Sequence, residues 1–127
     1  MTSIAAFHGE QMHISGTAAA DLSALQFTVV QVDSSGNIAA STAETAPSAG
    51  VLLNKPKSGD IAQVCSRGPA KVLAGGSVTA GAPVMATTGG KVINATATNY
   101  AIGVALFAGS SGDVITIDVN PSLAKYG

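Results

Sequence analysis

Apolar and polar residues alternate in short stretches along most of the chain, and helical periodicity is nearly absent. Residues 27–32 are β-branched and partly alternating, and Asp33-Ser34-Ser35-Gly36-Asn37 then supplies turn residues. A short strand at 51–53 is stopped by the polar stretch 54–60. Strands at 61–65 and 70–73 follow, divided by Arg67-Gly68-Pro69. Further strands are predicted at 83–86, 91–94, 101–107 and 114–119. The best helical candidate is the Ala-rich stretch 17–25, and helices of that length are marginal on their own. Strands this short, spaced by Gly-rich turns, predict an all-β fold: one small β-barrel or β-sandwich domain.

The pattern occurs twice. Gly50-Val51-Leu52-Leu53 followed by Gly59-Asp60-Ile61 matches Gly103-Val104-Ala105-Leu106 followed by Gly112-Asp113-Val114, at a constant offset of 53. Upstream the offset is 54: Ser35-Gly36-Asn37-Ile38 corresponds to Gly89-Gly90-Lys91-Val92, and Val30 to Val84. Two copies are too few for a solenoid. They suit a pseudo-symmetric barrel or sandwich with repeat halves at about 25–65 and 79–119 sharing one core.

Composition makes the core thin. Ala, Gly, Ser and Thr fill 62 of 127 positions, there is no Trp, and only two Tyr and three Phe are present. With burial worth about 25 cal/mol per Å² of apolar surface, the isolated monomer should be marginal, and assembly or docking would add the missing burial. The single Cys65 excludes an intramolecular disulfide and reads as a small strand hydrophobe. No basic region followed by an apolar run opens the chain, and no stretch approaches 18 apolar residues, so neither a secretory leader nor a membrane span is expected.

Charged residues make up 10% of the chain and sum to −1, which lacks the basic footprint of a nucleic-acid binder. Their distribution is uneven: residues 1–54 carry four acids and no Lys or Arg, whereas 55–91 carry five bases against Asp60. Such polarity could let an acidic part of one subunit meet a basic part of the next. Chance alone also produces it when charges are this few.

Candidate chemistry is sparse. Asp60 and Asp113, in the two Ser-Gly-Asp turns, could be paired carboxylates, but neither has a carboxylate or His at ligand spacing, and Gly-Asp entering a strand is ordinary turn chemistry. His8 and His13 flank Glu10 without further ligands. No phosphate loop or nucleophile elbow is present, and aromatic residues are too few to stack single-stranded bases. No catalytic residue, cofactor, metal or small-molecule substrate is expected, and the chain reads as a structural protein rather than an enzyme.

Over residues 20–119 the chain resembles the capsid cement, or head decoration, proteins of tailed bacteriophages, small β-rich proteins often mislabelled as recombinases. The resemblance is carried by Ala20-Asp21-Leu22-Ser23 with Gln26-Phe27-Thr28-Val29-Val30, by Gly50-Val51-Leu52-Leu53-Asn54-Lys55-Pro56 and Ser58-Gly59-Asp60, by Gly68-Pro69-Ala70-Lys71-Val72, and by Gly103-Val104-Ala105-Leu106 with Gly112-Asp113. It implies a compact β domain made in the bacterial cytoplasm and bound to the outer surface of the expanded capsid. There it would bridge major capsid subunits, commonly as a homotrimer or a homodimer, with no nucleic acid or membrane as partner. The match delimits a β-rich domain at 20–120 and leaves an extended N-terminal arm at 1–19 and a tail at 121–127; the arm, with Ile4, Phe7, Met12 and Ile14, would pair with a neighbouring subunit or capsid edge strand. The basic group Lys55, Lys57, Arg67 and Lys71 is the candidate capsid contact. The main rival is another virion role, a tail or fibre β domain or a host-surface binder. A small-molecule binder in a barrel mouth is a more distant one.

Overall fold

A computed structural model of the chain describes residues 10–42, 47–96 and 100–121. Among these residues there are nine strands and no helix, so the fold is all-β and antiparallel. The strands are β1 (Met12–Thr17), β2 (Val29–Val32), β3 (Ile38–Ala40), β4 (Gly50–Leu52), β5 (Ile61–Leu73), β6 (Pro83–Ala86), β7 (Val92–Asn94), β8 (Ala101–Ala105) and β9 (Val114–Val119). The sheet runs β3-β2-β4-β5-β9-β8-β6-β7, with β1 added on β5.

That order is a palindrome about the β5–β9 pairing, which carries the sequence repeat into three dimensions. β2 and β3 correspond to β6 and β7, and β4 and the first part of β5 correspond to β8 and β9. The repeat also reaches further upstream than the sequence reading placed it. β1 lies on the first part of β5 (Thr17 opposite Ile61) as the last part of β5 lies on β9 (Leu73 opposite Val114). β5 is therefore the last strand of the first half and the first strand of the second.

Hydrogen bonds repeat with the strands. Ala18 N–H donates to Asp60 O and Ala74 N–H to Asp113 O, both at 2.8 Å; Ala19 N–H donates to Ile38 O and Gly75 N–H to Val92 O, again at 2.8 Å. Through parallel bridges Ala18–Ile38 and Ala74–Val92, each half-sheet curls until its first strand meets its third.

Each half encloses its own apolar interior instead of the one shared core predicted. The first is built from Ala18, Leu22, Val30, Ile38, Leu52, Ala62 and Val64. At the corresponding positions the second has Ala74, Val78, Val84, Val92, Ala105, Ile115 and Ile117. This second cluster also takes in Val29, Val51 and Cys65 from the opposite face of the first half's strands, and so joins the halves.

Three local expectations change. The predicted helix at 17–25 is a series of turns, because Ala18 is committed to its bridge and the Asp21 carboxylate accepts from the Ser23 N–H (3.0 Å) and hydroxyl (2.6 Å), a local closure that competes with helix. The break predicted at Arg67-Gly68-Pro69 is bridged by one 13-residue strand. Gly68 sits at φ +102° where β5 changes partners, so Pro69 falls at a transition in the ladder and not within a uniform one. Finally, residues 12–17 of the expected arm belong to the sheet as β1, held by Ser66 Oγ to Met12 O at 3.0 Å and Gln11 Nε2 to Pro69 O at 2.6 Å. Residues 1–9, with Ile4 and Phe7, and 122–127 of the tail lie outside the described residues.

Phe27 is the one non-glycine residue at positive φ (67°) among the described residues, and its counterpart in the second half is Gly81, at 83°. Phe27 N–H donates to Leu52 O and Gly81 N–H to Ala105 O, both at 2.8 Å, so the turn is the same and only its residue differs. A left-handed conformation costs an L-residue about 1–2 kcal/mol. Phe27→Gly should therefore be less destabilising than Phe27→Ala by about 1 kcal/mol, the reverse of the usual order in extended structure. Urea denaturation of the two variants checks it.

Candidate contact surface

The backbone of residues 53–60, between β4 and β5, is fixed from several sides. Asn54 Nδ2 donates to Ile61 O and the Gln63 N–H to Asn54 Oδ1, both at 3.0 Å. Pro56 is buried and its carbonyl accepts from Leu22 N–H at 2.9 Å; the Lys57 N–H donates to Asp60 Oδ2 at 3.1 Å. Lys55 and Lys57 are exposed on this rigid frame. The equivalent loop of the second half reads Phe107-Ala108-Gly109-Ser110, and keeps the turn bond (Ser110 N–H to Asp113 Oδ2, 2.8 Å) without the lysines. Both Ser-Gly-Asp aspartates thus close turns.

The other two bases are exposed but stand elsewhere. Arg67 and Lys71 lie on β5, and Arg67 Nη1 donates to Asn120 Oδ1 at 2.9 Å. Ile61 to Lys71 spans roughly 30 Å of strand at about 3.3 Å per residue, so Arg67 and Lys71 lead away from the lysine loop along β5 and the four bases do not form one patch. Met12 and Ile14 are exposed on β1. The sequence reading missed an apolar pair: Ile61 and Val114, which open β5 and β9 at matching positions and are both exposed. Ile61 adjoins the lysine loop through Asn54.

Local charges are arranged around turns. The Asp21 carboxyl is held below its ordinary range, first by the Ser23 hydroxyl, then by the Ser23 N–H, with a smaller contribution from the Lys57 charge. His13 Nε2 lies 2.7 Å from Gln11 Oε1, and Glu10 is exposed; His8 lies outside the described residues. Among the described residues no three His, Cys, Asp or Glu side chains gather as metal ligands, and there is no cavity. The surface offers contact by charge and apolar side chains.

Cys65 is buried and its Sγ donates to Arg67 O at 3.1 Å. Burial pushes the thiol pKa up, with the Asp118 charge adding to it. Since the folded pKa is raised, this stability contribution is complete below the ordinary thiol pKa and is lost as pH rises through the folded value. Cys65 should react slowly with a thiol-specific dye in buffer and at the free-thiol rate in denaturant. Stability should begin to fall near pH 9 in the native chain but not in Cys65→Ala; denaturant melts at several pH values check it.

No protein-family model matches the chain, and no curated protein is similar to it in sequence. Among solved structures, it is similar to the crystal structure of the head fiber gp8.5 N base in bacteriophage phi29, with a TM-score of 0.67, 16% identity, and coverage of 93% of this chain and 99% of that one. At this identity the likeness is one of fold, and it takes in both halves of the repeat.

Proposed function

We propose that the chain is a structural protein of a tailed-phage head that binds the outer surface of the expanded shell and bridges major capsid subunits. The observation that carries this reading is the likeness of nearly the whole chain to a head-fiber base. The cement-protein resemblance of residues 20–119 points to the same kind of particle. On this reading the partners are the major capsid protein and further copies of the chain, and catalysis, cofactors, nucleic acid and membrane have no part.

The mechanism is mass action. Internal genome pressure strains the joints between capsid subunits, and a clamp that binds only the expanded lattice stabilises that state. Occupancy at about 100 times Kd contributes about 2.7 kcal/mol per site, so many modest contacts suffice. The loop with Lys55 and Lys57, beside Ile61, is the proposed contact. The same likeness favours a second reading, in which the domain is the base of a head fibre and its role is attachment.

Co-sedimentation with expanded and unexpanded shells lacking the protein tests the proposal. Saturable binding to expanded shells alone, at a fixed ratio to the major capsid protein, is expected. Lys55→Glu with Lys57→Glu should weaken that binding about tenfold and flatten its salt dependence. Absence of binding by well-folded protein rejects the capsid reading.

A further inference from the structure

The two halves meet through unlike surfaces. The first half contributes Val29, Val51 and Cys65, buried in one cluster with Ala70, Ala86 and Ile102 at one end of the second half. Leu73 N–H donates to Phe27 O (2.9 Å), Val29 N–H to Gly90 O (2.8 Å) and Gly89 N–H to Ser41 O (3.2 Å). The approach is so close that a Cβ on Gly90 would lie 2.4 Å from Val29 O.

Transferring each participant to the other half shows that the contact is head-to-tail. The counterparts of Ala70 and Ala86, both 3% exposed, are Ile14 and Val32, which are 40% and 54% exposed. The counterpart of Val51, fully buried, is Val104, 40% exposed. By contrast Ile61 and Val114, which correspond to each other, are exposed in both halves. The imbalance is therefore concentrated at the positions where one half covers the other. A two-fold contact would bury both sets alike; this one leaves a mouth-like end on the first half and a strand face on the second, each built like a surface that is covered within the chain.

We propose that a second copy of this chain docks there: the Val104 face of one copy covers the Ile14–Val32 end of the next, continuing the contact that joins the halves. The groups that make the internal hydrogen bonds have counterparts. Thr17 N–H takes the role of Leu73 N–H, with Gly81 O as acceptor, whereas Ser35 N–H, the counterpart of Gly89 N–H, stays in its own turn on Asp33 Oδ1 (2.9 Å). The third donor, Val29 N–H, corresponds to Pro83, which has no N–H to leave unpaired on an exposed face. One position departs: the exposed Asp118 stands where the first half has the fully buried Cys65. Contacts of this kind close into rings when the rotation between copies permits. The proposal stands on the repeat and holds whether or not the protein binds a capsid.

Two surface variants test it. Val104 lies opposite Asp118 on the neighbouring strand, so Val104→Lys gains an opposite charge there and should fold; Val32→Lys alters the other surface. Lysine at both keeps the two damaged surfaces from pairing by charge. In sedimentation velocity, the native full-length chain should self-associate, each variant alone should lose at least tenfold in association, and their mixture should form a complex of one copy of each. Circular dichroism melts check the fold, with Ile14→Lys replacing Val32→Lys if the latter unfolds. A monomeric native chain, undiminished association of either variant, or a mixture of folded variants that stays monomeric would overturn the proposal.

Discussion

Gly103→Ala should leave the chain largely unfolded. A Cβ at this position would stand 2.0 Å from the carbonyl oxygen of Asp118 on the adjacent strand, and at Gly50, its counterpart, 2.1 Å from that of Cys65. Backbone on both sides of a ladder must move to admit a methyl group, and no flexible side chain can yield instead. The expected loss is about 4 kcal/mol or more, a large share of the roughly 5–15 kcal/mol that holds a domain together. Gly36→Ala is the control: its φ of +82° strains an alanine, but open space surrounds the new atom, so only about 1–2 kcal/mol should be lost. Thermal melts of the two variants separate close approach from backbone strain. Equal effects for Gly36→Ala and Gly103→Ala would contradict this account of the β8–β9 pairing.

The second large effect concerns the way each half fills its interior. Leu52 packs with Ala62 in the first half; the counterparts are Ala105 and Ile115. Large and small have changed places with total volume nearly kept. Leu52→Ala should cost about 2–5 kcal/mol, because so thin a core cannot collapse around the void. Ala62→Ile alone should overpack, at about 1–3 kcal/mol. Together they install the second half's solution in the first, so the double variant should be more stable than the sum of the singles by about 1–3 kcal/mol. Chemical denaturation of the four proteins gives that coupling; additivity would show that the halves do not share a packing scheme.

These effects turn on the repeat, which was readable in part. The glycines and aspartates of the Gly-Val-x-Leu and Gly-Asp stretches keep their identity because turns and close approaches tolerate few substitutes, so β4, β8 and β9 could be placed within two residues. β1 was not legible: its six residues are almost wholly exposed and carry no alternation, and its counterpart in β5 shares its register but not its side chains. Ala-rich residues 17–25 suggested a helix because alanine favours one, while the Asx turn at Asp21 and the bridge at Ala18 decided otherwise. Of the candidate contact, the exposure of the four bases could be expected from their charge. The distance of Arg67 and Lys71 from the lysine loop could not, since it follows from Gly68 and Pro69 being carried through one long strand. Ile61 and Val114 looked like core residues by composition, and only the pairing of β5 and β9 shows them at the open edge of each half.

The central claim is that the domain clamps an expanded phage shell, and the most direct measurement is calorimetry of such shells with and without saturating protein. A clamp predicts that the disruption temperature of the shell rises with occupancy and reaches a plateau when all sites are filled. Saturable binding that leaves this temperature unchanged would contradict the clamp and favour a domain that attaches to the head without holding it together.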